Sequence, residues 1–123
     1  MNGTHSIVIH RHKTSHPHDD LGLEIDGGLR SWILPRGFPI GDEKRLAIED
    51  RVLGFVCSGA IIGDGYGVGE VEIWDKGVYR IEQRSNSKIV FIAQCERFSG
   101  RFILLLPSWG GWSKRRLWVL FRN

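Results

Sequence analysis

The stretch HDDLGLEIDGG, residues 18–28, alternates from Asp20 to Asp26 between two kinds of side chain. Leu21, Leu23 and Ile25 fall on one face of an extended chain, while His18, Asp20, Gly22, Glu24 and Asp26 fall on the other. A period of two is the mark of a strand with one face on a core and one face away from it. The leucine face is therefore read as core. The DGG that follows is a turn signal, so the strand is expected to reverse into a neighbour.

The same grammar runs along the whole chain. Short apolar runs are separated by DGG, DKG, RSNSK and FSG, and the chain carries 16 glycines with no sustained helical periodicity. The expected strands are Ser6 to His12, His18 to Ile25, Leu29 to Leu34, Leu46 to Asp50, Val52 to Val56, Gly69 to Trp74, Gly77 to Glu82, Ile89 to Glu96, Arg101 to Leu106 and Leu117 to Arg122. Their regular spacing predicts an all-β, mostly antiparallel fold, closing into a compact barrel or curling into a sandwich. Helix is expected only as one short turn at most, around Asp42 to Leu46. With 123 residues and neither repeat nor linker, residues 1–123 are expected to form a single domain.

Composition excludes some classes. The chain is 41% hydrophobic and 25% charged, the balance of an ordinary globular protein. No stretch approaches the roughly 20 apolar residues of a membrane span, and MNGTHSIVIHRH lacks the apolar centre of a signal peptide. A cytoplasmic, membrane-free protein is expected, with Cys57 and Cys95 as free thiols. The net charge of +3 permits a polyanionic partner without demanding one. Lys114, Arg115 and Arg116, between Trp112 and Trp118, read equally as a solvated strand end or as a rim for phosphates.

All 5 histidines fall within the first eighteen residues. His18 and Asp20 share the non-leucine face at a spacing of two, close enough to reach one ion. SIVIHRH likewise places His10 and His12 on one face, and Pro17 brings the end of that strand back toward His18. Any one of these histidines by itself reads as a surface residue. Together His12, His18 and Asp20 form a two-histidine, one-carboxylate set that leaves coordination positions open, the pattern of a catalytic divalent transition metal. Neither cysteine has a partner at ligand spacing.

The run IHRHKTSHPHDDLGLEIDGGLRSWILPRG resembles the 3′-phosphoesterase domain of bacterial multifunctional DNA ligase D and its stand-alone archaeal relatives. Their hallmark is a His, five residues, a His, one residue and an Asp, then LELDG, KSW and a P-K-G stretch. The likeness continues through EKRLAIED and GYGVGEVEIWDKGVY to RRLWVLFR, essentially the whole chain. It implies a β-barrel hydrolase that uses Mn2+, or another divalent transition metal such as Zn2+ or Co2+, to trim 3′ ends of DNA. Such enzymes remove a 3′-terminal ribonucleoside and then the 3′-phosphate, leaving the 3′-hydroxyl that polymerases and ligases need. On this resemblance the metal ligands are His12, His18 and Asp20. Arg36 and Arg45 match its downstream basic residues, Glu49 its acidic partner, and His10 its polar residue ahead of the first metal histidine.

The departures are as specific. Two residues beyond the metal aspartate the family has a phosphate-gripping arginine, where this chain has Gly22. A phosphate-contacting histidine corresponds to Arg51, a tyrosine to Phe55, and the loop P-E-G-x-Y-G to IGDGYG. The segment before Glu49 is two residues shorter, which keeps strand parity. Arg51 is expected to supply the lost positive charge through its guanidinium fork, but it cannot serve as a general acid. Proton transfer is left to water on the ion, or to His10 or His16 if either faces the pocket.

The expected function is thus metal-dependent healing of DNA 3′ ends, at a primer-template with or without a terminal ribonucleotide, beside a DNA ligase or polymerase. His12, His18, Asp20, Arg45, Glu49 and Arg51 form the expected catalytic group, and Arg36, Arg45, Arg51 and His10 the phosphate-binding group. The rival reading is a catalytically degenerate relative that serves as a nucleic-acid-binding or scaffolding module, for which Gly22 is the best argument. A non-haem iron oxygenase would use the same ligand types, but the likeness along the whole chain speaks against it.

Overall fold

The computed structural model describes residues 3–13, 15–50, 70–109 and 116–123. Its strands are β1 (His5–Lys13), β2 (His18–Ile25), β3 (Gly28–Leu34), β4 (Arg45–Glu49), β5 (Glu70–Arg84), β6 (Lys88–Cys95), β7 (Ser99–Leu105) and β8 (Leu117–Arg122). They close into a barrel in the order β1-β2-β3-β4-β8-β7-β6-β5, with every pairing antiparallel. The fold is all-β, and no helix occurs among the described residues. Ile40, Gly41 and Asp42 form a bend between β3 and β4, and Arg45 already begins β4, so the expected helical turn is absent.

The alternation of β2 sets the barrel's inside and outside. Leu21 and Leu23 pair in register with Ile9 and Ile7 of β1, and all four are within 1% of complete burial. Trp32 and Leu34 of β3, Ala47 of β4, Phe91 of β6, Phe102 and Leu104 of β7, and Trp118 and Leu120 of β8 complete the core. Burying such side chains stabilises the barrel by about 1.5–3 kcal/mol each. The β2–β3 hairpin turns on Asp26 (φ 55) and Gly27 (φ 80), with Ile25 paired to Gly28. Two consecutive positive φ values belong to the type I′ turn, whose twist suits a hairpin and which favours Asp-Gly.

One expected break is absent. DKG reads as a turn between two strands, yet β5 runs unbroken for 15 residues from Glu70 to Arg84. Instead of a turn there is a bulge: Ile9 pairs with Asp75 and His10 with Ile73, leaving Trp74 as the extra residue. The buried Asp75 carboxylate explains why the chain holds straight on. It accepts hydrogen bonds from the backbone N–H groups of Lys76 (2.8 Å), Glu96 (3.2 Å) and Arg97 (2.6 Å), tying β5 to the β6–β7 turn. Gly77 permits the close approach, because a Cβ there would overlap the carbonyl oxygen of Gln94. The expected strand Val52 to Val56 lies outside the described residues.

Candidate metal centre

In the β1–β2 ladder His12 stands opposite His18, and His10 opposite Asp20. Their neighbours Ile9 and Leu21 point into the core, so these four side chains project from the outer face. His10 and His12 are nonetheless only 3% and 6% exposed. Donor atoms of His12, His18 and Asp20 all lie within 4.8 Å of one another. The two imidazoles stack at 4.3 Å with planes 13° apart. His12 Nε2 and Asp20 Oδ2 lie 2.7 Å apart, and His18 Nε2 stands 3.6 Å from Asp20 Oδ1.

Three features fit this set to a cation. His18 Nδ1 donates to the backbone oxygen of His16 at 2.9 Å, which fixes the ring and turns the lone pair of Nε2 toward Asp20. Asp20 Oδ1 is buried and accepts no hydrogen bond from the described residues. Burial also raises the Asp20 carboxyl above the ordinary range, against the pull of His12 and His18, and the Asp50 charge pushes it further up. A divalent cation would reverse that penalty, since it favours the carboxylate form. At His10, burial and then the proximity of His12 lower the imidazole pKa, which favours the neutral ring.

The structure separates the remaining expected site residues. Glu49 is the register partner of Trp32 and points into the barrel, away from the histidine face. There it accepts from Trp118 Nε1 at 2.7 Å and pairs with Arg30 at 3.0 Å and Arg116 at 3.4 Å. Arg45 pairs in register with the fully buried Leu120, on the same inward side, and meets Glu43 at 3.2 Å. Arg36 is exposed in the turn after β3. Arg51, Phe55, Cys57 and residues 62–67 lie outside the described residues, as do Trp112, Lys114 and Arg115.

Gly22 shares the outer face with Asp20. A Cβ there would stand 3.0 Å from Val8 Cγ1 and 3.3 Å from Leu29 Cδ1, so apolar side chains close over this position. Asp50 is the residue that sequence reasoning missed. Its N–H donates to the Ser31 oxygen at 2.8 Å, and its charge acts on Asp20. Alternation is the signal for it: with Ala47 and Glu49 inward, Ile48 and Asp50 face outward.

Comparison with known proteins bears on the whole barrel. Residues 10–106 match the family model described as the DNA Ligase D 3′-phosphoesterase domain. The chain is 35% identical over 120 residues to the multifunctional non-homologous end joining DNA repair protein LigD of Mycobacterium tuberculosis H37Rv, covering 91% of this chain and 16% of that protein. It is 34% identical over 124 residues to LigD of Pseudomonas aeruginosa PAO1, covering 93% and 14%. With LigD of Mycolicibacterium smegmatis the identity is 31% over 126 residues, covering 90% and 16%. The chain therefore spans about a seventh to a sixth of the length of these relatives. The matched segment includes the three clustered donors and strands β2 through β7, so this chain belongs to the DNA Ligase D 3′-phosphoesterase domain family.

Proposed function

We propose that the chain is a metal-dependent phosphoesterase that heals DNA 3′ ends, removing a terminal ribonucleoside, a 3′-phosphate or both. The observation that carries this reading is the convergence of His12, His18 and Asp20 on one outer patch of the barrel. Family membership and the end-joining repair role in the relatives' names support a DNA end as substrate. A neighbouring ligase or polymerase in the cytoplasm would then use the product.

His12 Nε2, His18 Nε2 and an Asp20 oxygen would hold the ion, Mn2+ first and Zn2+ or Co2+ as alternatives. When bound, such an ion supplies Lewis-acid polarisation of a phosphoryl oxygen and eases ionisation of water. The protein's own residues do the rest. The His16 carbonyl keeps His18 in one tautomer, and the short contact between His12 and Asp20 holds the donors together. His10, opposite Asp20 and biased toward the neutral ring, is suited to accept a proton beside the phosphate. Arg36 is exposed for a phosphate oxygen of the incoming strand, and Arg51 is the further candidate for that role. Arg45 and Glu49, which face inward, would act by holding the barrel wall rather than by touching substrate.

The closure of Val8 and Leu29 over Gly22 favours a second reading, a relative that binds nucleic-acid ends without turning them over. A primer-template with a 3′-phosphate, incubated with the protein and Mn2+, separates the two. Release of inorganic phosphate that vanishes in Asp20→Ala supports the enzyme. Tight, Mn2+-dependent binding with no phosphate released by the native protein supports the binding module.

A further inference from the structure

We propose that a cleft at the barrel rim, separate from the histidine patch, is a subsite for one unpaired nucleotide of the DNA strand; this rests on the DNA-end reading above. The cleft, of about 540 Å³, lies between the β3–β4 connection and the β6–β7 turn. That volume is in the range of about 300–1,000 Å³ typical of small-ligand pockets. Its walls combine two chemistries. Phe38, Trp74 and Phe98 form an aromatic cluster, with ring centroids 4.4 Å apart for Phe38 and Phe98 and a stacked pair 6.2 Å apart for Trp74 and Phe98. Ile40 extends this wall and is 77% exposed, so its apolar side chain is open to a ligand in the cleft.

Arg97 and Arg122 supply the second chemistry. Each is anchored by a single hydrogen bond to a backbone oxygen, Arg97 Nε to Trp74 at 2.9 Å and Arg122 Nη1 to Ser99 at 2.8 Å. Each also lies over a ring, 5.3 Å from the Trp74 centroid and 4.7 Å from that of Phe102. Among the described residues neither has a carboxylate partner, although Glu96 also lines the cleft; Arg122 Nε is buried, so the groups left to meet an anion are Arg122 Nη2 and the two Nη groups of Arg97. An apolar and aromatic wall beside two oriented guanidinium groups suits a ligand that is a flat ring at one end and a phosphate at the other. A nucleotide has that shape and charge.

The location ties the cleft to the proposed site. Trp74 is the bulge residue opposite the Ile9–His10 step, and the Arg11 guanidinium lies 4.7 Å from its ring centroid. Arg11 sits between His10 and His12 on the opposite face of the same strand, so the cleft and the donor cluster flank β1 from two sides. A strand whose 3′ end reached the donors would pass its neighbouring unpaired nucleotide over the rim into the cleft.

The test is fluorescence anisotropy with labelled oligothymidylate in EDTA, which removes any metal contribution. Ile40→Ala and Arg97→Gln are surface changes that leave the core intact, which circular dichroism would verify. Expected are a loss of affinity of about fivefold or more in Ile40→Ala, on the scale of one lost base contact, and a salt slope smaller by about one in Arg97→Gln. An abasic oligomer of equal length should bind the native protein and Ile40→Ala alike. Unchanged oligothymidylate affinity in both folded variants would overturn the cleft, while Mn2+-dependent phosphate release would still uphold the end-healing reading. Conversely, variants that lose oligothymidylate in a protein that releases no phosphate would sustain the cleft and remove the end-healing reading.

Discussion

Asp19 and Asp20 carry the same side chain one position apart and do different work, because the strand that holds them turns successive residues to opposite faces. Asp19 points inward, where it accepts from Arg11 at 2.9 and 3.1 Å and from the Phe38 N–H at 2.8 Å. Asp20 points outward to the histidines. Parity made the outward face of Asp20 legible in the sequence. It also shows why Glu49 was harder to place: its assignment came from resemblance, whereas its orientation depends on the β3–β4 register, which puts it beside Trp32. Glu49→Gln should therefore weaken the fold by about 1–3 kcal/mol, since Arg30 would lose its partner in a partly buried site, and should leave Mn2+ affinity unchanged; chemical denaturation and calorimetry read the two effects separately. Cys95 offers a residue-scale check on burial. Burial, and then the charge of Asp75, push its thiol up to about 12, so it should stay protonated and resist iodoacetamide at neutral pH in a Cys57→Ser background. Rapid alkylation of the folded protein would contradict the packing around the β6–β7 turn.

At the scale of elements, turn chemistry was readable where it was local and misleading where it was not. Asp26-Gly27 reverses the chain by its own backbone preferences, so DGG announced the hairpin. Asp-Lys-Gly at 75–77 carries much the same local signal, but its carboxylate and its missing Cβ serve contacts with residues 94–97, which no local pattern reveals. Gly77→Ala should accordingly cost about 1–3 kcal/mol or more, because the added methyl meets backbone that cannot step aside. Gly27→Ala should cost about 1 kcal/mol, the penalty of one left-handed residue. Thermal melts of the two variants should keep that order, and a Gly77→Ala protein as stable as the native one would mean that β5 and β6 do not meet this closely.

For the whole molecule, closure of the barrel is what turns scattered sequence signals into a site. The ladder from β1 through β2 and β3 to β4 sets His12, His18, Asp20 and Asp50 on one outer surface while Leu21, Trp32 and Ala47 fill the inside. The alternating strands foretold an antiparallel all-β fold and the common face of His18 and Asp20, because both follow from a period of two, whereas closure into a barrel was implied by the family resemblance. The roles of the arginines were not legible in this way, since a long side chain at a strand end takes its direction from whichever carboxylate or ring is nearest, as Arg45 does with Glu43 and Arg122 with Phe102. With cations spread over several strands and no recognition helix among the described residues, DNA affinity should fall steeply with salt and vary little with base sequence; a flat salt response in a filter-binding titration would argue against phosphate-dominated contact. The central claim is that one divalent ion binds between His12, His18 and Asp20. Calorimetric titration of Mn2+ into the native chain and into His18→Ala tests it most directly: the account predicts one ion per native chain and a loss of affinity of about a hundredfold or more in the variant, and equal affinity in a folded His18→Ala protein would contradict it.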